Sequence, residues 1–470
     1  MSRKWSLISI LLILTAGLSI FAVQHLKPQQ KEVVISVGDW PGENGPRHQI
    51  YERYARMIKE QRRITVVPDE WSYSINSFLP KAAAGKLPTL YNTWFTETGK
   101  IIEAGYAAEI TPQLAKRGWD RALSPETSRV VKRNGKIYGV PRDAYLMGLM
   151  CNLKLFRKAG LLDSAGLPQI PRTYAELART AKLIKDRTGA AGFLIETSSN
   201  GGGWHFMNIA WSFGAEFERK VNGRWQAVFN SPQAVAALEY IRDLRWKYDL
   251  LPNLALIDWA KGQELIGTGQ CAMKLEAGFE HNGFDNVIDN YHMNKDLISM
   301  GSVPAGSAGR MALLGGNIYM FAPNASTEQI NAALEWIKLL GQSPDVSGAG
   351  LKDLELAYRN DYQAGYVVGN PGIPVWVNPG FTRANQRIRS RYSNVNPDNF
   401  RDYRDFTQVK IHSEEPVNCQ ELYSLLDRVI QTVLTDKSAN PQALLNQAVR
   451  EFQKAYLDKA NRSILNQPQS

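Results

Sequence analysis

Cysteine and histidine are scarce in this chain, with three Cys and six His among 470 residues. An odd number of widely spaced thiols, Cys151, Cys271 and Cys419, offers no disulfide framework. Cys151 and Cys271 lie in apolar, strand-like runs, where a thiol packs as a small buried hydrophobe. No H-E-x-x-H pair is present, and His281 with Glu280 and Asp285 reads as a solvated polar loop, so no metal is expected. Gly306-Ser307-Ala308-Gly309 lacks the first glycine of a nucleophile elbow. Gly267-Thr268-Gly269-Gln270-Cys271-Ala272 has the letters G-x-G-x-x-A, but it follows a helical pattern and precedes a strand, the reverse of a dinucleotide turn. No cofactor is therefore expected. Internal repeats are also missing, and beyond residue 30 no apolar run is long enough to span a bilayer.

What the chain does have is tryptophan and positive charge. It carries 12 Trp, and 55 Lys plus Arg against 45 Asp plus Glu give a formal net charge of +10. Hydrophobic residues make up 44%, enough to fill the cores of two or three folding units. A basic excess raises the question of nucleic acid or an anionic surface. Much of it sits in Arg383, Arg387, Arg389, Arg391, Arg401 and Arg404, with no nucleic-acid motif beside them. These arginines read as solvated surface, and no nucleic-acid partner is expected.

The amino terminus bears on the compartment. Arg3 and Lys4 precede an uncharged run from Trp5 to Val23, which is an export signal or a single membrane anchor. Small residues permit cleavage after Ser19 or Ala22, and a cleaved signal is the better reading of residues 1–30. No cysteine near that junction is available for lipid attachment. The body is expected outside the cytoplasm, periplasmic or at the cell surface, tethered only if the segment is retained.

Strands and helices then alternate. Val33 to Val37 is a β-branched run, followed by the turn-rich Asp39-Trp40-Pro41-Gly42-Glu43-Asn44-Gly45 and a helix from Gln49 to Gln61. A second strand, Ile64 to Val67, a helix near Ser77 to Ala84 and a third strand near Leu90 complete a βαβαβ pattern, which predicts an α/β fold with a parallel sheet. Ligands in such sheets lie outside the carboxyl ends of the strands, where Trp40 and Trp94 fall. Further on, Leu146 to Asn152, Cys271 to Leu275 and Gly315 to Ala322 read as strands. Thr173 with Glu176 forms a capping box for one helix, Ser231 with Pro232 starts another, and Ser326 caps a third over Thr327 to Leu340.

Several segments in this order resemble a known family: Ala84-Gly85-Lys86-Leu87-Pro88, Gly105-Tyr106-Ala107-Ala108-Glu109-Ile110-Thr111-Pro112, and Asn134-Gly135-Lys136-Ile137-Tyr138-Gly139-Val140-Pro141 leading into Asn152-Leu153-Lys154-Leu155-Phe156. Gly269-Gln270-Cys271-Ala272-Met273, Gly315-Gly316-Asn317 and Gly372-Ile373-Pro374-Val375 follow. Together they resemble the extracellular solute-binding proteins of ABC importers, the family of maltose-binding protein and related oligosaccharide receptors, from Val33 to about Leu457. One departure is Thr89 after Pro88, where the family often has Asp. The resemblance implies a two-lobed periplasmic-binding-protein fold closing on a sugar, with a carbohydrate ligand, ABC permease transmembrane subunits as partners, and a monomer. Lobe one is expected at 31–142 plus 304–342 and lobe two at 146–300 plus 346–460. Hinges are expected at Pro141 to Tyr145, Gly301 to Pro304 and Gln342 to Asp345.

Sugar rings present C–H faces and hydroxyl edges, so such a cleft needs aromatic platforms with a few amides and carboxylates. On lobe one the candidates are Trp40, Trp94 and Asn317, with Asp39 and Glu43 as hydroxyl acceptors. On lobe two they are Tyr145, Trp204, Phe279 and Trp376, and Gly201-Gly202-Gly203 is expected to start a helix pointing at the cleft. Trp211, Trp225, Trp246, Trp259 and Trp336 are assigned to packing. No catalytic residue is expected, yet two other readings stay open. One is a secreted carbohydrate-active enzyme using Glu276 or Glu43 with a second carboxylate. The other is a receptor for an anionic solute, suggested by Arg142 and the carboxyl-terminal arginines.

Overall fold

The computed structural model describes residues 32–43, 45–278, 283–370 and 372–465. The expected export segment and Phe279 lie outside the described residues. The chain opens with β1 (Val33–Val37), α1 (Pro46–Arg62), β2 (Ile64–Pro68), α2 (Ile75–Ala83) and β3 (Leu90–Trp94), followed directly by α3 (Phe95–Glu103). β1 pairs in parallel with both β2 and β3, so the βαβαβ expectation holds. Pro46 suits the first turn of α1, where its missing N–H leaves no donor unpaired, and Arg63 stops that helix in the left-handed conformation at φ 55°.

Two long strands organise the rest. β4 (Gly139–Asn152) is followed by α4 (Tyr174–Thr188), α5 (Gly201–Phe213), β5 (Met273–Ala277), α6 (Asp285–Tyr291), β6 (Ile298–Ser302) and β7 (Arg310–Phe321). The chain then continues through α7 (Thr327–Leu339), α8 (Gly348–Ala364), α9 (Pro379–Tyr392), β8 (Val409–Ser413) and α10 (Cys419–Thr435). The eight strands form one sheet in the order β6-β4-β7-β3-β1-β2, with β8 paired to β7 and β5 to β4.

This one sheet serves two hydrophobic cores. Val140 and Ala144 of β4 pack in the first core, with Ile35, Leu90 and Trp336, whereas Leu146 to Cys151 pack in the second, with Phe206, Leu238 and Leu426. β7 divides the same way, Ile318 to Phe321 in the first core and Ala312 and Leu313 in the second. Each fully buried Leu, Ile or Phe contributes about 1.5–3 kcal/mol, so both lobes hold substantial cores of their own.

The crossings only partly follow the expected hinges. Pro141 to Tyr145 is a crossing, as the division of β4 requires. Gly301 and Ser302, however, pair with Leu149 and Gly148 inside the second lobe, and Val303 is buried there, so the return crossing lies in β7 beside Gly315 and Gly316. At Gly315 a Cβ would sit 2.6 Å from the Tyr145 hydroxyl, and at Gly316 one would sit 2.4 Å from the Phe95 ring, which is why this crossing needs two glycines. Gln342 to Asp345 crosses nothing, because Leu339 and Leu354 on either side share the first core. Residues 346–460, expected as a whole in lobe two, are split: Leu354, Trp376, Phe381 and Ile388 pack in the first core, and Phe400 onward in the second. The third crossing therefore follows α9.

The second core contains an ionic cluster. Period-2 alternation along β5 puts Lys274 and Glu276 on one face, and both are fully buried. The Lys274 ammonium lies 2.8 Å from Glu196 and 3.0 Å from Glu276. Gln263 donates to Glu276, and the Trp259 indole N–H donates to it at 3.4 Å. Burial, with Lys274 adding to it, pulls the nearby His205 down to about 3, so its imidazole is neutral.

The glycines opening α5 have a packing role. Asp427 of α10 caps that helix, accepting from Gly203 N at 2.9 Å and Asn200 N at 2.7 Å. A Cβ on Gly203 would meet the Tyr423 backbone at 2.4 Å, and one on Gly201 would meet Glu196 at 2.2 Å. The helix terminus faces α10 and not, as expected, the cleft. The Thr173 cap also differs slightly: it accepts from Glu176 N, but the Glu176 carboxylate reaches back to Arg172 N instead of closing a full box.

Candidate functional site

A bulge at the first crossing aims one residue at the cleft. Asn317 pairs with Asp143 and Ile318 with Pro141, so Arg142 is the extra residue of β4. Its guanidinium bonds Asp39 at 3.1 Å and lies 3.3 Å from Asp143. Asp143 accepts from the Asn317 amide and backbone at 2.8 and 3.1 Å, and Asn92 links Asn317 back to Asp39 through 3.5 Å contacts. The five side chains close a ring that joins β4 and β7 at their crossing to β3 and to the end of β1. Burial opposes the charge on Arg142, but the Tyr319 hydroxyl, Asp143 and Asp39 outweigh it and hold the guanidinium protonated above its ordinary range. Asp39 sits at φ 59°, a left-handed turn that Asp tolerates and that lifts its carboxylate off the strand end.

Beside this ring the lobes enclose a cleft of about 450 Å³. Trp40, Tyr51, Arg142 and Gln342 line it from lobe one, and Trp259, Asp285 and Asp289 from lobe two. Its lining holds four carboxylates, Asp39, Asp285, Asp289 and Asp361, against two guanidiniums, Arg47 and Arg142. The cleft is thus acidic in a chain that is basic overall. Trp40 stacks on Trp336 at 5.8 Å and meets Tyr51 edge-on at 5.3 Å. Its buried indole N–H has no acceptor among the described residues. Burial pushes Asp289 up to about 6, with the Tyr366 hydroxyl bond acting against the shift.

This architecture, two lobes of one sheet around a polar and aromatic cleft, is matched by comparison with known proteins. Residues 55–344, more than half of the chain, fit the family described as bacterial extracellular solute-binding protein. The chain belongs to this family. A binding protein of Brucella abortus is 22% identical over 346 residues, 71% of this chain and 77% of that protein. Among solved structures, maltose-bound MalE3 of T. maritima has TM-score 0.66 at 20% identity, covering 90% of this chain and 99% of its own. UgpB of Mycobacterium tuberculosis, in complex with glycerophosphocholine, has TM-score 0.68 at 14% identity, covering 92% and 100%. A substrate-binding protein of Listeria monocytogenes in complex with cycloalternan has TM-score 0.66 at 16% identity, covering 90% and 99%. At these identities the likeness is one of fold.

In this solute-binding protein the residues singled out from sequence occupy different settings. Trp40 lines the cleft, although it is only 4% exposed and so presents an edge and not a broad platform. Asn317 belongs to the polar ring. Trp94 pairs with it across β3 and β7 and meets Tyr73 edge-on at 5.0 Å. Tyr145 lies at the crossing against Gly315, half-buried, and Glu43 is exposed beside the cleft. Trp204 packs at the edge of the second core, 5.5 Å from His205. Trp376 is buried in the first lobe, not the second, against Trp119 at 6.1 Å, and its indole donates to Gln342 O. Sequence reasoning gave Trp259 to packing, yet it lines the cleft; Asp258 caps the short helix it begins, which fixes it there. Asp143, Asn92 and Arg47 were missed, and Asp285, read as part of a solvated polar loop, is instead buried at the start of α6 and paired with Arg47. Asn92 and Asn317 carried a signal, as lone amides inside apolar strands.

Proposed function

We propose that the chain is the non-catalytic, extracytoplasmic receptor of an ABC importer, closing on an oligosaccharide or similar hydroxyl-rich solute and passing it to the permease subunits. The observation that carries this reading is the ring of Asp39, Arg142, Asp143, Asn317 and Asn92, which sets acceptors and donors at a hinge beside the aromatic rings of Trp40, Tyr51 and Trp259. Hydroxyl rims need such paired groups, and a ligand touching both lobes shifts the population toward closure. The acidic lining weighs against an anionic solute. Against the enzyme reading, Glu276 is fully buried and held by Lys274, Gln263 and Trp259, so it is not open to a glycosidic oxygen. The solute-binding neighbours with maltose or cycloalternan bound are consistent with a sugar.

Isothermal titration with a glycan panel, with product analysis of the same mixtures, tests the proposal. Stoichiometric binding without turnover is expected. Cleavage of any glycan in these mixtures would overturn it.

A further inference from the structure

The two lobes touch across the cleft through charged side chains, and one of these bridges is built into the cleft wall. Arg47, in the first turn of α1, is held within its own lobe by Asp361 at 2.7 Å and by the Tyr366 ring 4.3 Å below its guanidinium. Its other amino group bonds Asp285 of α6 in the opposite lobe. Tyr366 crosses as well, donating its hydroxyl to Asp289 at 2.7 Å. Arg47, Asp285 and Asp361 all line the cleft, with side chains only 20%, 11% and 6% exposed.

We infer that Arg47 is the end stop of the solute site and limits the bound chain to a short one. The inference rests on the sugar reading given above. A glycan running past this point has to displace a guanidinium from two carboxylates in a poorly hydrated setting, where breaking paired charges is most costly. A second cross-lobe ion pair among the described residues, Lys100 of α3 to Glu421 of α10 at 2.9 Å, is more open to water, with the Lys100 side chain 40% exposed, and lies outside the cleft lining. That bridge is screened and yields more readily. The cleft volume of about 450 Å³ lies toward the small end of the range of small-molecule sites, about 300 to 1,000 Å³.

The test is titration of the full chain with two ladders, α-1,4-gluco-oligosaccharides and β-1,4-xylo-oligosaccharides, each of one to six rings. For the ladder that binds, affinity is expected to peak at one or two rings and to fall at least tenfold by four. Arg47→Ala should reduce that discrimination to under threefold. Asp285→Asn, which removes only the cross-lobe half and leaves Arg47 on Asp361, should move it in the same direction and serves if Arg47→Ala folds poorly. Four rings binding the wild type as tightly as two, or Asp285→Asn leaving the ladder unchanged, would refute the end stop while keeping the sugar reading. No binding by either ladder would remove the sugar reading and the end stop with it.

Discussion

Replacing Lys274 with Met should destabilise the second lobe severely while leaving its apolar volume nearly constant. Lys274 is the cation facing Glu196 at 2.8 Å and Glu276 at 3.0 Å, and all three side chains are at most 1% exposed. Although burial works against its charge, Glu196 and Glu276 outweigh that and raise the ammonium above its ordinary value. Its contribution is thus complete through neutral pH and is lost only as pH rises past the raised value. Removing one partner of a buried pair costs about 3–5 kcal/mol, because the remaining charges stay buried without compensation. Domains hold about 5–15 kcal/mol in all, so the loss is a large fraction of the total. At about 2–4 °C per kcal/mol for a lobe of this size, the melting temperature should fall by roughly 6–20 °C. Urea unfolding followed by Trp fluorescence measures it. The triple variant Lys274→Met, Glu196→Gln, Glu276→Gln should recover most of the loss, since no unpaired charge is left. A single-variant loss below about 1 kcal/mol, or a triple variant no more stable than the single one, would refute an uncompensated charge as the cause.

Other expectations follow from the same contacts. Arg142→Gln keeps a donor but breaks the ion pairs to Asp39 and Asp143, so it should weaken solute affinity at least tenfold in titration while the circular dichroism spectrum stays unchanged. Burial, with Glu415 adding to it, pushes the Glu218 carboxyl up to about 9, and Glu415 itself is pushed up to about 7, mainly by burial. The stability tied to these protonated forms is full below the unfolded carboxyl value and is lost as pH rises through about 7 and then 9. The melting temperature should therefore decline across pH 6–9, with a shallower slope in Glu218→Gln; an unchanged slope contradicts this. Asp427→Ala leaves the first turn of α5 uncapped and should cost about 1–2 kcal/mol in urea unfolding, with Asp427→Asn losing less.

Local signals in the sequence located most elements. The β-branched run at Val33 and the Ser326 cap are settled by neighbours in the chain, and both stand where expected. The cleft was harder to read because its parts depend on pairing between distant strands. Arg142 enters the site through a bulge that exists only when β4 meets β7, and the Asp39–Arg142 pair joins residues 103 positions apart. Tryptophan misled for the same reason. Trp376 looks like a loop platform until Trp119 covers it, and Trp259 looks like core until its helix is seen to open on the cleft. The hinges were misplaced where proline and glycine suggested a break, at Gly301 to Pro304, although the backbone there is tied into β6 and the second core.

The sheet that runs through both cores has a consequence for dissecting the molecule. Because β4 and β7 stay hydrogen-bonded partners on both sides of the Arg142 bulge, neither lobe is a removable module. A fragment cut between Ala144 and Tyr145 would leave both strands with severed, unpaired edges beside apolar side chains, a template for association with other chains. Half-molecules expressed separately should thus be insoluble alone and recover only when mixed. Fusion partners or reporters belong in surface connections of a single lobe, not at the boundary that two cores suggest.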